Sequence, residues 1–238
     1  MTGKLASILA DKTAGATEIA RRALEYLASV GPEDLAGAAR LLKTARPDFT
    51  VLVNLGRRLE TLARTGPPTP EALRLMLAEL ESAARSAAEN AARLLPPAAD
   101  LITASYSSQV VQAVQLYRGR DAGRVWVWTP GPADPISRRA AAVLQAELTD
   151  SLEGLIQPLG LIGADAVFAD GSVINGTPSL SLAEALAARR VPLYVVATSW
   201  KLLPEPPHPP TEPGFDLVPA RLITEIIVES GPWKPGSA

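Results

Sequence analysis

Asp165 is the side chain in this sequence best placed to do chemistry. It lies in a loop with Asp170, Gly171 and Asn175, within GADAVFADGSVIN. A carboxyl can give or take a proton near neutrality only if burial or neighbouring charge raises its pKa, so Asp165 needs a sheltered position to act as an acid or base. A loop aspartate satisfying backbone amides looks the same in sequence. Asp170-Gly171 is also a strong turn signal, and Asn175 suits a left-handed turn. Lys201 stands just past a strand-like run, where it could meet a phosphate, although a solvated lysine is the commoner outcome. Metal chemistry has no support: the chain lacks cysteine and shows no His/Asp/Glu cluster with ligand spacing. The single histidine, His208, sits among prolines and reads as non-catalytic.

The elements that must hold these residues are two short apolar runs, Gly160–Ala169 (broken at Asp165) and Val191–Ala197. A helical stretch lies between them from about Pro178 to Arg190, with Leu180, Leu182, Ala183 and Leu186 on one stripe and Thr177-Pro178 at its start. This is a βαβ unit of a parallel sheet, with a right-handed crossover. Ligands of such sheets bind beyond the carboxyl ends of the strands, which is where Asp165 falls.

Upstream, helical periodicity covers Ala16–Val30, about Pro32–Thr44, about Asp48–Arg64 and Pro70–Leu95. Gly31-Pro32, Arg46-Pro47, Gly66-Pro67-Pro68 and Pro96-Pro97 punctuate them. Residues 1–96 therefore read as an all-helical domain. Residues 97–238 read as a Rossmann-like α/β domain: strand Asp100–Thr103, helix Ser107–Tyr117, strand Arg124–Trp128, helix Pro135–Ala146, then the βαβ unit. Trp126 and Trp128 alternate on one strand and share a face packed under a helix. Glu205–Pro213 is a proline-rich loop, Phe215–Gly231 a strand-like run interrupted at Pro219, and Pro232–Ala238 a frayed tail.

A chain of 238 residues, 47% apolar and 20% charged, can bury a sizeable core. Its net charge of −2, with basic residues scattered, argues against a nucleic-acid surface. The N-terminus has no apolar core of signal-peptide length and no run approaches a membrane span, so the expectation is a cytoplasmic protein without membrane contact.

GADAVFADGSVIN, followed by a helix and PLYVVATSWKL, resembles the signature segment of the initiation factor two-B family. That family joins the alpha, beta and delta regulatory subunits of the eukaryotic exchange factor with isomerases for methylthioribose 1-phosphate and ribose 1,5-bisphosphate. Asp11–Ala16, Ala45-Arg46-Pro47 with Asn54-Leu55, Leu101–Ser108 and FDLVPARLITEIIVESG resemble other family segments. The resemblance implies a helical N-terminal domain, a Rossmann-like C-terminal domain and dimerisation largely through the latter.

In the isomerase branches the resemblance implies a cysteine and an aspartate acting as a base/acid pair. Asp165 matches the aspartate, and Ser105 stands where the cysteine would be. A serine hydroxyl without an adjacent base cannot replace a thiolate near pH 7. The family's Asn-Lys pair appears as Asn175-Gly176, its Glu-Thr-Arg-Pro as Thr129-Pro130-Gly131-Pro132, and the arginine of its early Arg-Gly-Ala as Ala14. Most of the phosphate-holding groups of an isomerase are thus absent.

What remains is a binding pocket of Arg46, Thr103, Ser105, Ser107, Asp170, Gly171, Asn175 and Lys201, with Asp165 as the one catalytic candidate. Ser107 and Arg46 also have plain readings, as a helix N-cap and as a surface ion-pair or helix-capping residue. The sequence reading is a dimeric, cytoplasmic, regulatory protein that binds a phosphorylated sugar or nucleotide without turning it over and needs no cofactor. A sugar-phosphate isomerase using Asp165 and a scaffold with a vestigial pocket are the alternatives.

Overall fold

Proline, glycine and short polar side chains set the limits of the helices in the computed structural model, which describes residues 2–31, 34–65, 69–119 and 123–236. Five helices come first: α1 (Thr2–Leu9), α2 (Ala16–Val30), α3 (Leu35–Ala45), α4 (Thr50–Thr65) and α5 (Pro70–Leu94). Asp34 caps α3 by accepting from the Gly37 amide at 2.7 Å, and Thr69 caps α5 through Ala72 at 3.1 Å, with Pro70 in the first turn. The sequence reading omits α1, whose eight residues are too few to be stable alone; Leu5, Ile8 and Leu9 hold it by burial in the helical core. Pro32 and the Gly66-Pro67-Pro68 stop lie outside the described residues.

The chain then alternates: β1 (Leu101–Thr103), α6 (Ser108–Arg118), β2 (Val125–Trp128), α7 (Pro135–Leu144), β3 (Glu147–Thr149), β4 (Leu159–Ile162), β5 (Ala166–Val167), β6 (Val173–Gly176), α8 (Ser179–Ala188), β7 (Leu193–Val196), β8 (Phe215–Val218), β9 (Glu225–Val228) and β10 (Gly231–Trp233). The seven-stranded sheet runs β10-β9-β7-β4-β1-β2-β3, parallel throughout except for β10. It is an α/β fold with a mostly parallel central sheet.

The βαβ unit holds: Gly160 of β4 pairs with Leu193 of β7 through α8. Its first apolar run divides, however. β4 stops at Ile162, and residues after Asp165 turn out of the main sheet as β5 and β6, which pair antiparallel and extend onto β8. The run from Phe215 likewise belongs to two sheets, β8 in the small one and β9 in the large one. The expected frayed tail begins instead as β10, with Pro232 on an edge strand where its missing amide costs no ladder bond. Trp126 and Trp128 join the same apolar cluster as Leu182 and Leu186 of α8, and Trp128 Nε1 donates to Ser181 Oγ at 3.0 Å.

α5 spans both packing regions. Leu73 and Leu80 sit in the helical core, while Ala87, Ala88, Ala91 and Ala92 pack with Leu101, Val114, Val196 and Ile227 against the sheet. Asn90 Nδ2 donates to the carbonyls of Val228 and Glu229 at 2.8 and 2.9 Å.

Candidate functional site

Strand order reverses between β1 and β4. From β1 the chain proceeds through β2 to β3 on one side, and from β4 through β7 to β9 on the other. The crevice beyond the carboxyl ends of these two strands is the expected ligand position. Ser105 follows β1 and Asp165 follows β4, so both reach it.

Backbone geometry fixes the floor. Ser105 is buried with φ at 61°, a left-handed conformation rare for a residue with a side chain. Gly176 at the end of β6 lies directly against it: a Cβ there would stand 2.2 Å from Ser105 Oγ. The glycine therefore has a steric reason, and the lysine of the family pattern would collide with Ser105.

Asp165 is tied to both halves of the molecule. Its amide donates to the Ile174 carbonyl at 2.7 Å, and its own carbonyl accepts from the Thr50 amide at 3.1 Å at the start of α4. The carboxyl is largely buried, with part of its surface open to the crevice, and accepts no hydrogen bond among the described residues. Burial pushes its pKa up to about 6; the charges of Lys201 and Arg46 hold it back, and those of Asp48 and Glu212 add to the rise. It is thus placed to exchange a proton near neutrality.

Lys201 is not solvated. It is 3% exposed, and its Nζ donates to Ala164 O at 2.6 Å and Gln109 Oε1 at 3.0 Å, beneath the floor. Burial lowers its pKa, and Asp165 opposes that shift. Gln109 Nε2 in turn donates to Thr17 Oγ1 at 3.2 Å, linking the floor to α2.

A cleft of about 490 Å³ opens above, lined by Arg46, Ser105, Tyr106, Asp165 and Gly176, by Lys12–Gly15, by Pro135, Ile136 and Arg139 of α7, and by Glu212–Phe215. Arg139 donates to the Thr13 carbonyl and stacks over the Tyr106 ring at 4.1 Å. Arg46 Nε donates to Glu212 Oε1 at 2.6 Å. The proline-rich strap carrying Glu212 is pinned by Asp48, which accepts from the Thr211 amide and hydroxyl and from the Glu212 amide at 2.7–3.0 Å.

Of the residues singled out from sequence, Arg46, Ser105 and Asp165 line the cleft. Ser107, Asn175 and Lys201 meet Asp165 in a narrow recess beneath it. Ser107 Oγ caps α6 through Val110, and Asn175 Nδ2 donates to Ser179 Oγ at 2.7 Å. Thr103 is buried at the end of β1 and does not line the cleft. Asp170 and Gly171 do not line it either: Asp170 accepts from the Ser172 amide and hydroxyl, and Gly171, φ at 90°, packs near Pro235 and Ala220. They form the turn that joins β5 to β6.

Sequence reasoning misses Lys12, Tyr106, Arg139 and Glu212. Arg139 lies on α7 and Glu212 in a loop without periodicity. No sequence signal brings either to the cleft. Among the described residues, no group of three or more His, Asp or Glu side chains could hold a metal, and no helix is long and apolar enough to cross a membrane.

Residues 159–209, from β4 through the first part of the strap, match the model of the Initiation factor 2 subunit family. Over that segment the chain is similar to that family. It is 28% identical to a methylthioribose-1-phosphate isomerase of Anaeromyxobacter sp. (strain K), over 88% of this chain and 76% of that protein. It is 27% identical to a translation initiation factor eIF-2B subunit 2-like protein of Pyrococcus abyssi (strain GE5 / Orsay), over 93% of this chain and 92% of that one. The fold matches the crystal structure of a Pyrococcus horikoshii OT3 translation initiation factor eIF-2B, with a TM-score of 0.75, 23% identity, and coverage of 99% and 97% of the two chains. The chain thus resembles proteins of both kinds, initiation factor and isomerase, at nearly equal identity.

Proposed function

We propose that this chain binds a small phosphorylated sugar or nucleotide in the cleft above Asp165 and does not convert it. The observation that carries this reading is a cleft of ligand size above a floor that lacks the cysteine the resemblance implies for isomerisation. The cleft has the size of a small-molecule site and places Lys12 and Arg139 at its rim. On its floor Ser105 stands where the resemblance places a cysteine, close against Gly176, with no histidine or carboxylate bonded to its hydroxyl among the described residues. One proton-exchanging group without a partner supports recognition more than a two-step proton transfer.

The same reading takes the protein as a cytoplasmic homodimer with a regulatory role. Exposed Leu116, Val143 and Leu148, on the neighbouring α6, α7 and edge strand β3, would give an assembly an apolar face.

Isomerisation is the second reading, favoured by the raised pKa of Asp165 and by the isomerase relatives. A thermal-shift panel of ribose 1,5-bisphosphate, methylthioribose 1-phosphate, ribose 5-phosphate, AMP and GMP, each mixture then assayed for conversion, separates the two. A ligand at about 100 times its Kd adds about 2.7 kcal/mol. A shift without conversion is expected. Conversion abolished by Asp165→Asn would establish the enzyme instead.

A further inference from the structure

The cations of the cleft are not equivalent. Lys12 and Arg139 stand exposed at its rim. Arg46 is on the inner wall, its side chain 10% exposed. Its Nε donates to Glu212 Oε1 at 2.6 Å, its Nη1 donates to the Asp11 carbonyl at 3.1 Å, and the Phe49 ring lies 4.0 Å below the guanidinium. Glu212 occupies the place that an oxyanion of a ligand would take on this guanidinium.

The backbone and the carboxylate of Glu212 are held by different partners. Asp48 fixes the backbone through the Thr211 and Glu212 amides and the Thr211 hydroxyl, and Pro210 and Pro213 on either side restrict it further. The carboxylate, 24% exposed, depends on Arg46 alone among the described residues. It can change partner without moving the strap.

Inside the cleft Arg46 and Glu212 cancel, and Asp165 is matched by Lys201 beneath it. A second anionic group brought inside would face two carboxylates and no unmatched cation. A single anionic group at the rim meets Lys12 and Arg139. We propose that Glu212 masks Arg46 and makes the cleft selective for ligands with one anionic group, held at the rim, against ligands with two. The ligand class rests on the phosphorylated-ligand reading above; the masking of Arg46 does not.

The test is calorimetric titration at low ionic strength with inorganic phosphate, ribose 5-phosphate and ribose 1,5-bisphosphate. The proteins are the parent, Glu212→Gln and the double variant Glu212→Gln/Arg46→Gln. Glutamine keeps the acceptor oxygen and the amide bonded to Asp48, so the strap stays in place. The parent should bind the monophosphate about tenfold more tightly than the bisphosphate, and Glu212→Gln should reverse that order and gain about tenfold for inorganic phosphate. Adding Arg46→Gln should remove the gain. Tighter bisphosphate binding by the parent, an unchanged ratio in Glu212→Gln, or a gain that survives Arg46→Gln overturns the proposal. If the parent ignores both sugars while Glu212→Gln gains phosphate through Arg46, the masking stands and the ligand reading falls. If none of the proteins binds any of the three anions, both fall.

Discussion

The two ends of the parallel sheet each bury an aspartate, and the two behave in opposite ways. Asp100 precedes β1 at the amino end and is 2% exposed. Burial alone would raise its pKa. It accepts from the Ile156 and Arg124 amides at 2.9 Å and from Arg124 Nη2 at 3.2 Å, and these bonds outweigh burial and leave the pKa lowered. Asp165 follows β4 at the carboxyl end, accepts no such bond among the described residues, and is pushed up to about 6. The same side chain has its lone pairs filled at one end and left open to a cleft at the other. At Asp100 hydrogen bonds oppose the cost of desolvation, and at Asp165 desolvation stands without them.

Removing Asp100 should produce the largest effect on stability. Asp100→Ala removes the buried acceptor shared by the Ile156 and Arg124 amides and the Arg124 guanidinium, and should cost about 3 kcal/mol in urea unfolding. A loss no greater than that of an exposed surface substitution would break the comparison at the closed end.

At the open end the expected effect is smaller and depends on pH. The folded state holds the Asp165 proton more tightly than the unfolded chain does. This group therefore contributes stability that is complete below pH ~4 and is lost as pH rises through about 6. With partial exposure screening some of the shift, about 2 kcal/mol should disappear across that window. Asp165→Asn should flatten the stability–pH curve between pH ~4 and ~7. A curve parallel to the parent's would mean that Asp165 titrates as an ordinary surface carboxyl.

The smallest effect concerns the floor beside Asp165. Gly176→Ala should cost about 1–2 kcal/mol by driving a methyl group into Ser105, and Ser105→Gly should recover most of it, since glycine also tolerates the positive φ there. Additive losses in the double variant would show that the two residues do not share the space.

These contrasts also explain what the sequence could reveal. Periodicity and punctuation locate α2 to α8 and the βαβ unit, because apolar stripes and caps are local properties. Asp165 was legible for the same reason: it ends a buried run. The β5–β6 hairpin was not, since Ala166–Val167 is too short to stand out from the run before it. Lys201 and Arg46 show a different limit. Whether a lysine is solvated or buried, and which carboxylate an arginine meets, depends on partners such as Gln109 and Glu212, each more than 90 positions away. Asp170-Gly171, the strongest local signal in the loop, belongs to a turn outside the cleft.

α5 gives the molecule a mechanical character that its two packing regions would not have separately. One 25-residue rod is set at one end among helices and at the other against the sheet, with Asn90 bolting it to the carbonyls of Val228 and Glu229 at the end of β9. Neither region can melt while leaving the rod its full set of contacts, so unfolding is shared between them.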